Sequence, residues 1–139
     1  HLFNPIDAII NCFRVLKKGG IMVIAIPDKK YTFDKERPLT TIESINERLN
    51  REKQHPIPSD YEDMITFIHK KLINASETEK KKALDGFLRR REHLNIWTDE
   101  SFFELLDFTI KYYDLNVEFI TRSLSKVNNF EHCSAWKKI

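Results

Sequence analysis

The chain has 139 residues, which is enough for one domain with a hydrophobic core and too few for two ordinary domains. With 41% hydrophobic and 32% charged residues, it has the composition of a globular protein and not of a disordered one. Its 23 basic and 21 acidic residues leave a net charge of +2, which by itself favours neither nucleic acid nor an anionic membrane as a partner.

A helix and then a buried strand are predicted at the start of the chain. Asn4 followed by Pro5 is typical of a helix start, since asparagine caps the first turn and proline fits its first position. The glycine pair at 19–20 ends this helix. The run IMVIAI at 21–26 is apolar throughout and does not alternate. It therefore predicts a strand that is buried on both faces, as in a parallel sheet.

A polar and aromatic loop over 28–41 follows, and then a mainly helical segment. Thr40 to Glu43 fits a capping box that would begin the first of its helices. Three helices are predicted here, over residues 42–54, 60–73 and 77–91. Because two closely spaced prolines in HPIPS cannot lie inside a helix, they separate the first helix from the second. We interpret residues 40–91 as a helical insertion that lies over a sheet.

The last third of the chain predicts one apolar helix and a β-hairpin. Thr98 is the N-cap of the helix, and Trp97 and Phe102 take the two positions of a hydrophobic staple around it. The helix sequence FFELLDFTIKYY should pack on the sheet. The segments NVEFITRS and FEHCSAWKK predict two strands, and the short polar connection LSKVNN favours an antiparallel pair.

Residues 4–28, NPIDAIINCFRVLKKGGIMVIAIPD, resemble part of the class I S-adenosylmethionine-dependent methyltransferases. In that family a helix that ends in a similar "vLKpGG" leads into the fifth strand of a seven-stranded sheet. HLFNP is similar to the stretch that follows the family's fourth strand. The segments IPDKKYTFDKERP and HLNIWTDESFFELL resemble the substrate-side loop and last helix of one branch, and the two closing strands match the sixth and seventh.

The resemblance implies an α/β fold with a partial Rossmann-like methyltransferase sheet. This sheet would consist of strands five, six and seven, with the antiparallel C-terminal hairpin, and would carry the helical insertion. Residues 1–139 would then be a single C-terminal part of a methyltransferase domain, with the insertion at about 40–91 as a lid. The implied activity is methyl transfer from S-adenosylmethionine to a small-molecule acceptor.

The family's binding site for S-adenosylmethionine has no counterpart in these residues. Its glycine-rich loop would follow the first strand, whereas the chain has three glycines, of which Gly19 and Gly20 are explained by a turn and Gly86 lies in a helical stretch. No cofactor-binding residue is therefore assigned. We expect residues 1–139 alone to show no methyltransferase activity, and the alternative is a truncated, non-catalytic interaction module.

Seven residues are candidates for contact with a substrate: His1, Asp28, Tyr31, Phe33, Asp34, His93 and Trp97. The loop after a buried strand lies on the ligand-binding side of an open α/β sheet, which favours the residues at 28–34. His1 could shape the substrate pocket or act as a base. Each candidate also has a structural alternative: the loop aromatics could pack under the insertion, Asp28 could cap a turn, and the staple already explains Trp97. No catalytic residue is assigned.

The remaining patterns favour no metal or nucleic acid. The histidines have no ligand spacing with acids or cysteines, so we expect no metal site. The KKK at 80–82 and the RRR at 89–91 are interleaved with acidic residues, which indicates a solvated helix face more than a nucleic-acid surface. The two cysteines form no CxxC motif and no run spans a membrane, so we expect a cytoplasmic protein. An open edge of the sheet would allow a homo-oligomer to form.

Overall fold

The computed structural model describes all residues from His1 to Ile139 and shows a mixed α/β protein. Its helices and strands, in chain order, are α1 Pro5–Val15, β1 Ile21–Pro27, α2 Ile42–Leu49, α3 Glu77–Arg90, α4 Asp99–Tyr112, β2 Val117–Ser123, the single turn α5 Ser125–Asn128 and β3 Glu131–Lys138. None of the helices combines the length and the hydropathy that crossing a bilayer requires.

The residues group into two compact units. The first unit consists of His1–Phe3 and Phe33–Ile96, and the second of Asn4–Thr32 and Trp97–Ile139. The second unit holds the sheet with α1, α4 and α5, whereas the first holds α2 and α3.

The sheet of the second unit has three strands in the order β1-β3-β2. The last strand of the chain lies in the middle and pairs antiparallel with both neighbours, so β1 and β2 are the two edges. The predicted hairpin of the closing strands is confirmed, with the one-turn helix α5 in its connection. Alternate residues of β3, among them His132 and Trp136, are buried on one face of the sheet.

The prediction that the strand after the glycine pair is buried on both faces is wrong in this structure. β1 has one partner strand, and its residues alternate between exposed and less exposed. Met22 is buried, whereas Val23 is 69% exposed. A continuous apolar run identifies the strand, but it does not tell how many of its faces are covered, because coverage depends on the other elements that pack there.

The helix α1 begins where the sequence predicts but ends at Val15, before the glycine pair that was expected to end it. Asn4 accepts a hydrogen bond from the Asp7 backbone N–H, and Pro5 begins the first turn. Gly19 has a φ of +80°, a conformation that favours glycine and that turns the chain into β1. Lys138 of β3 donates from Nζ to the Phe13, Arg14 and Leu16 carbonyls at the carboxyl end of the helix. Carbonyls in the last turn of a helix lack the N–H groups of a following turn, so the lysine adds to the Leu16 N–H that bonds to Phe13 and connects α1 to the sheet.

The staple that the sequence predicts at the start of α4 is also confirmed. Thr98 caps the helix by accepting from the Ser101 backbone N–H, and the Trp97 and Phe102 rings meet with their centroids 5.8 Å apart. Phe102, Leu105 and Leu106 are buried, as expected of the apolar face of this helix.

The first unit contains less regular helix than predicted. The helix from 42 ends at Leu49, and its capping box joins Thr41 to Ser44, one residue later than expected. Residues 60–73, predicted as one helix, instead form short 3-10 and π-helical turns at Pro58–Tyr61, Met64–Ile68 and Lys70–Leu72. The predicted helix from Glu77 is confirmed. These elements enclose a small apolar core of Tyr61, Met64, Ile65, Phe87 and Leu94.

Candidate functional site

Four of the seven predicted site residues come together in the first unit. His93 lies at the centre: the Phe33 ring stacks on its imidazole at 5.0 Å and the His1 ring meets it edge-on at 4.8 Å. Asp34 bonds to the same imidazole. We add Arg37, which bonds to Asp34, and Asp63, which bonds to Arg37, and call the whole group the Asp34–His93 cluster. Its members are His1, Phe33, Asp34, Arg37, Asp63 and His93.

A buried arginine supports the cluster. The Arg37 guanidinium is 1% exposed, and it donates from Nε and Nη2 to both carboxylate oxygens of Asp63, at 2.8 and 3.0 Å. It also donates from Nη1 to Asp34 at 2.7 Å and from Nη2 to the His93 backbone carbonyl at 2.9 Å. Two-point bonding of this kind fixes both the position and the plane of the carboxylate. Three segments that are distant in sequence therefore meet at one side chain.

The contacts of Asp34 determine its charge. Burial, the largest single influence, acts to raise the pKa of this carboxyl, but hydrogen bonds from His93 and Arg37 and the positive charge of Arg37 together outweigh burial and lower the pKa. Asp34 is therefore ionised at neutral pH and can only accept hydrogen bonds.

The ionised carboxylate fixes the tautomer of His93. The imidazole Nδ1 lies 2.6 Å from Asp34 Oδ2, and since that oxygen can only accept, Nδ1 must carry the proton. In the neutral ring Nε2 then has a free lone pair. This nitrogen makes no hydrogen bond in the structure, and the side chain of His93 is 32% exposed.

The other three predicted site residues belong to the second unit. Asp28 is buried at the end of β1, where it caps the turn Lys29–Tyr31 by accepting from the Lys30 backbone N–H. Tyr31 is partly exposed, and Trp97 is buried in its staple with Phe102. The structural alternatives for Asp28 and Trp97 are thus present, and contact of these residues with a substrate stays a prediction.

Asp28 is also part of a buried polar group that the sequence did not indicate. Its Oδ2 accepts from Ser125 Oγ at 2.9 Å and from the Asp99 backbone N–H at 3.2 Å. Asp99 in turn accepts from the Ser125 backbone N–H and lies 2.9 Å from its Oγ. The two carboxylates thus face the first residues of α4 and α5, where free backbone N–H groups favour negative charge.

His132 of β3 lies next to this group without bonding to it. Its ring is 1% exposed, and neither nitrogen has a hydrogen-bond partner. The nearest carboxylate oxygen, Asp99 Oδ1, is 3.8 Å from Nδ1, too far for a hydrogen bond. Burial lowers the pKa of His132 and Arg122 adds to this effect, whereas the negative charges of Asp99 and Asp28 oppose it. The ring is therefore held in its neutral form.

No protein-family model, curated protein or solved structure matches this chain. The site must therefore be interpreted from its own geometry. On that basis the Asp34–His93 cluster is the best candidate, because it combines buried charge, a partly exposed imidazole and an aromatic ring, Phe33, that is itself more than half exposed.

Sequence reasoning missed Arg37 and Asp63 in the first unit, and Asp99, Ser125 and His132 in the second. One signal was present: His132 alternates with Trp136 on the apolar face of a predicted strand, where a histidine is buried. Arg37 and Asp63 had none, since they lie in irregular segments and pair across 26 residues.

Replacing Arg37 should strongly destabilise the first unit. Arg37→Met keeps much of the side-chain volume but leaves Asp34 buried opposite a second carboxylate, and we expect a loss of about 3 kcal/mol in the free energy of unfolding. Urea unfolding followed by circular dichroism measures this loss. Arg89→Met, at an exposed position of α3, is the control and should change stability by less than about 0.5 kcal/mol. Equal effects of the two substitutions would contradict a structural role of the buried cation.

The neutral His132 should make stability depend on pH. Because its pKa in the folded protein is below the ordinary value of 6.5, the unfolded chain binds a proton below about pH 6.5 that the folded chain does not. This contribution to stability is present above pH 6.5 and is lost as the pH falls, by up to about 1.4 kcal/mol per pH unit. His132→Leu should remove this loss, whereas His55→Leu, at an exposed position, should not. Urea unfolding at pH 7.5 and 5.5 measures both; the same pH dependence in wild type and His132→Leu would contradict it.

Proposed function

We propose that this chain is the substrate-side portion of an S-adenosylmethionine-dependent methyltransferase that acts on a small molecule. The observation that carries the proposal is the sheet. The strand that follows RVLKKGG lies in one sheet with the two closing strands, and those two form an antiparallel pair. These are the elements that the sequence resemblance numbers five, six and seven. A Rossmann-like fold for the whole domain is part of this proposal.

The polar residues that follow β1 support a role on the substrate side. In open α/β sheets ligands bind beyond the carboxyl ends of the strands, and the segment after β1 leads within a few residues to Phe33 and Asp34. Methyl transfer from a sulfonium requires mainly the alignment of the acceptor with an already activated carbon. A partly exposed ring beside an oriented imidazole is suited to holding a small acceptor.

In this proposal residues 1–139 do not supply the binding site for the methyl donor. Gly19 lies in the turn before β1, and a Cβ on Gly20 would come within 2.8 Å of the Lys17 carbonyl oxygen, so packing explains that glycine. Gly86 lies inside α3. None of the three follows a strand, where a loop that binds the donor would need them. In this proposal other residues supply that loop.

A calorimetric titration of residues 1–139 with S-adenosylmethionine tests whether the donor site lies outside these residues. We expect no binding heat with the protein at about 100 micromolar, a concentration at which a site with a micromolar Kd would give a complete binding curve. Micromolar binding would contradict the proposal that the donor site lies outside these residues. A chain extended by the coding sequence upstream of His1 should bind the donor and transfer its tritiated methyl group. Failure of the extended chain to bind would contradict the methyltransferase function itself.

The exposed side of β1 favours a second candidate function, that of a non-catalytic module that associates through its sheet. β1 is an edge strand, and Val23 is largely exposed. Unpaired edges of this kind can add a strand from another chain. Sedimentation velocity on the sample used for the titration distinguishes the two functions. A stable dimer that Val23→Lys dissociates would favour the module, whereas a monomer at 100 micromolar would argue against it.

A further inference from the structure

We infer that His93 is the general base of this site, that Asp34 is its positioning residue, and that the methyl acceptor is a small molecule with a hydroxyl group. The inference rests on the proposed function and adds to it the identity of the base and the class of acceptor. It derives from the geometry of the Asp34–His93 cluster.

The imidazole of His93 is held in one orientation. Asp34 accepts from Nδ1, so the lone pair is on Nε2, at the other side of the ring. An aspartate that holds a histidine in one tautomer by this bond is the arrangement that general bases use in several unrelated enzymes. Asp34 cannot rotate away, because Arg37 holds its other oxygen at 2.7 Å.

The imidazole is in direct contact with an ionised carboxylate. Asp34 Oδ2 lies against His93 Nδ1, and Arg37 donates to the other oxygen of Asp34 while it also pairs with Asp63. The His1 ring lies 4.8 Å from the imidazole, and its Nδ1 bonds to the Arg91 backbone carbonyl. A carboxylate that is hydrogen-bonded to Nδ1 is the group with which general-base histidines balance the charge of the ring once it has accepted a proton.

The pair of Phe33 and His93 is open to solvent. The side chain of His93 is 32% exposed and the Phe33 ring that stacks on it is more than half exposed, so the two rings present an apolar surface on which a small molecule can pack. A base is needed where the nucleophile is a neutral hydroxyl, which is a poor nucleophile until it loses its proton. In the reaction the hydroxyl oxygen bonds to the methyl carbon and the carbon–sulfur bond breaks. Its electron pair stays on sulfur, which becomes a neutral thioether, and the hydroxyl proton moves to His93 Nε2.

The tautomer can be measured without any activity. In a ¹⁵N-labelled chain of residues 1–139 at pH 7.5, two-bond correlations between the ring nitrogens and carbon-bound protons should show the proton of His93 on Nδ1 and none on Nε2. Asp34→Asn, whose amide can also donate, should abolish this preference. A proton on Nε2 of the wild-type protein would overturn the inference.

The reaction is tested with the extended chain and tritiated S-adenosylmethionine against a panel of phenols and simple alcohols. We expect His93→Gln to lower kcat by about 10²- to 10⁴-fold, with donor affinity within twofold of wild type by calorimetry. Asp34→Asn should lower kcat with little change in KM for the acceptor, as a positioning residue should. His55→Gln, an exposed histidine of the same unit, is the control and should leave kcat unchanged.

The outcomes separate this inference from the proposed function. An unchanged kcat in His93→Gln with donor binding intact would contradict the role of His93 as general base. Methylation of nitrogen or carbon acceptors only would contradict the hydroxyl acceptor. Neither result would contradict the methyltransferase function. Absence of donor binding by the extended chain would overturn both. A kcat for wild type that rises with pH as one group deprotonates, and a loss of this dependence in His93→Gln, would support the base.

Discussion

The first unit is organised by the need to satisfy a guanidinium that has almost no contact with water. Arg37 cannot lose its charge, so burial is tolerated only where carboxylates and carbonyls surround it. The structure provides both carboxylate oxygens of Asp63, one oxygen of Asp34 and the His93 carbonyl. These contacts connect irregular segments that have few regular backbone hydrogen bonds of their own. They also fix the Asp34 carboxylate that orients the His93 imidazole. The orientation of this partly exposed ring therefore depends on the buried Arg37.

The second unit meets a similar requirement without a cation. Asp28 and Asp99 are buried carboxylates whose partners are backbone N–H groups and the Ser125 hydroxyl, at the first residues of α4 and α5. The single hydroxyl proton of Ser125 can go to only one of the two carboxylates at a time, so the backbone N–H groups must contribute the remaining donors. Helix starts offer such donors together with a favourable dipole. The two units therefore illustrate two ways of burying negative charge, one by ion pairing and one by helix ends.

What could be predicted from the sequence depends on how far apart the interacting residues lie. The helices α1, α3 and α4 were predicted because caps, staples and apolar periodicity are local signals, as at Thr98 and Trp97. The turns at 58–72 were missed because their backbone follows a packed core that includes Tyr61 and Met64, with no periodic pattern to indicate it. His93 and Asp34 were both candidates from the sequence, and the structure brings their side chains together, but their role in a site stays a prediction. The pairing of Arg37 with Asp34 and with Asp63 depends on contacts that no local pattern encodes.

The position of β3 in the sheet has a consequence for how the protein is made. Both ladders need this strand, and its register pairs Lys137 with Ile21 near the beginning of the chain. During synthesis β1 leaves the ribosome before β3 is made, and residues 33–96 of the first unit emerge between the two strands. β1 and β3 can pair only once β3 has left the ribosome, so this ladder forms late, and an apolar strand that waits for its partner is exposed to aggregation.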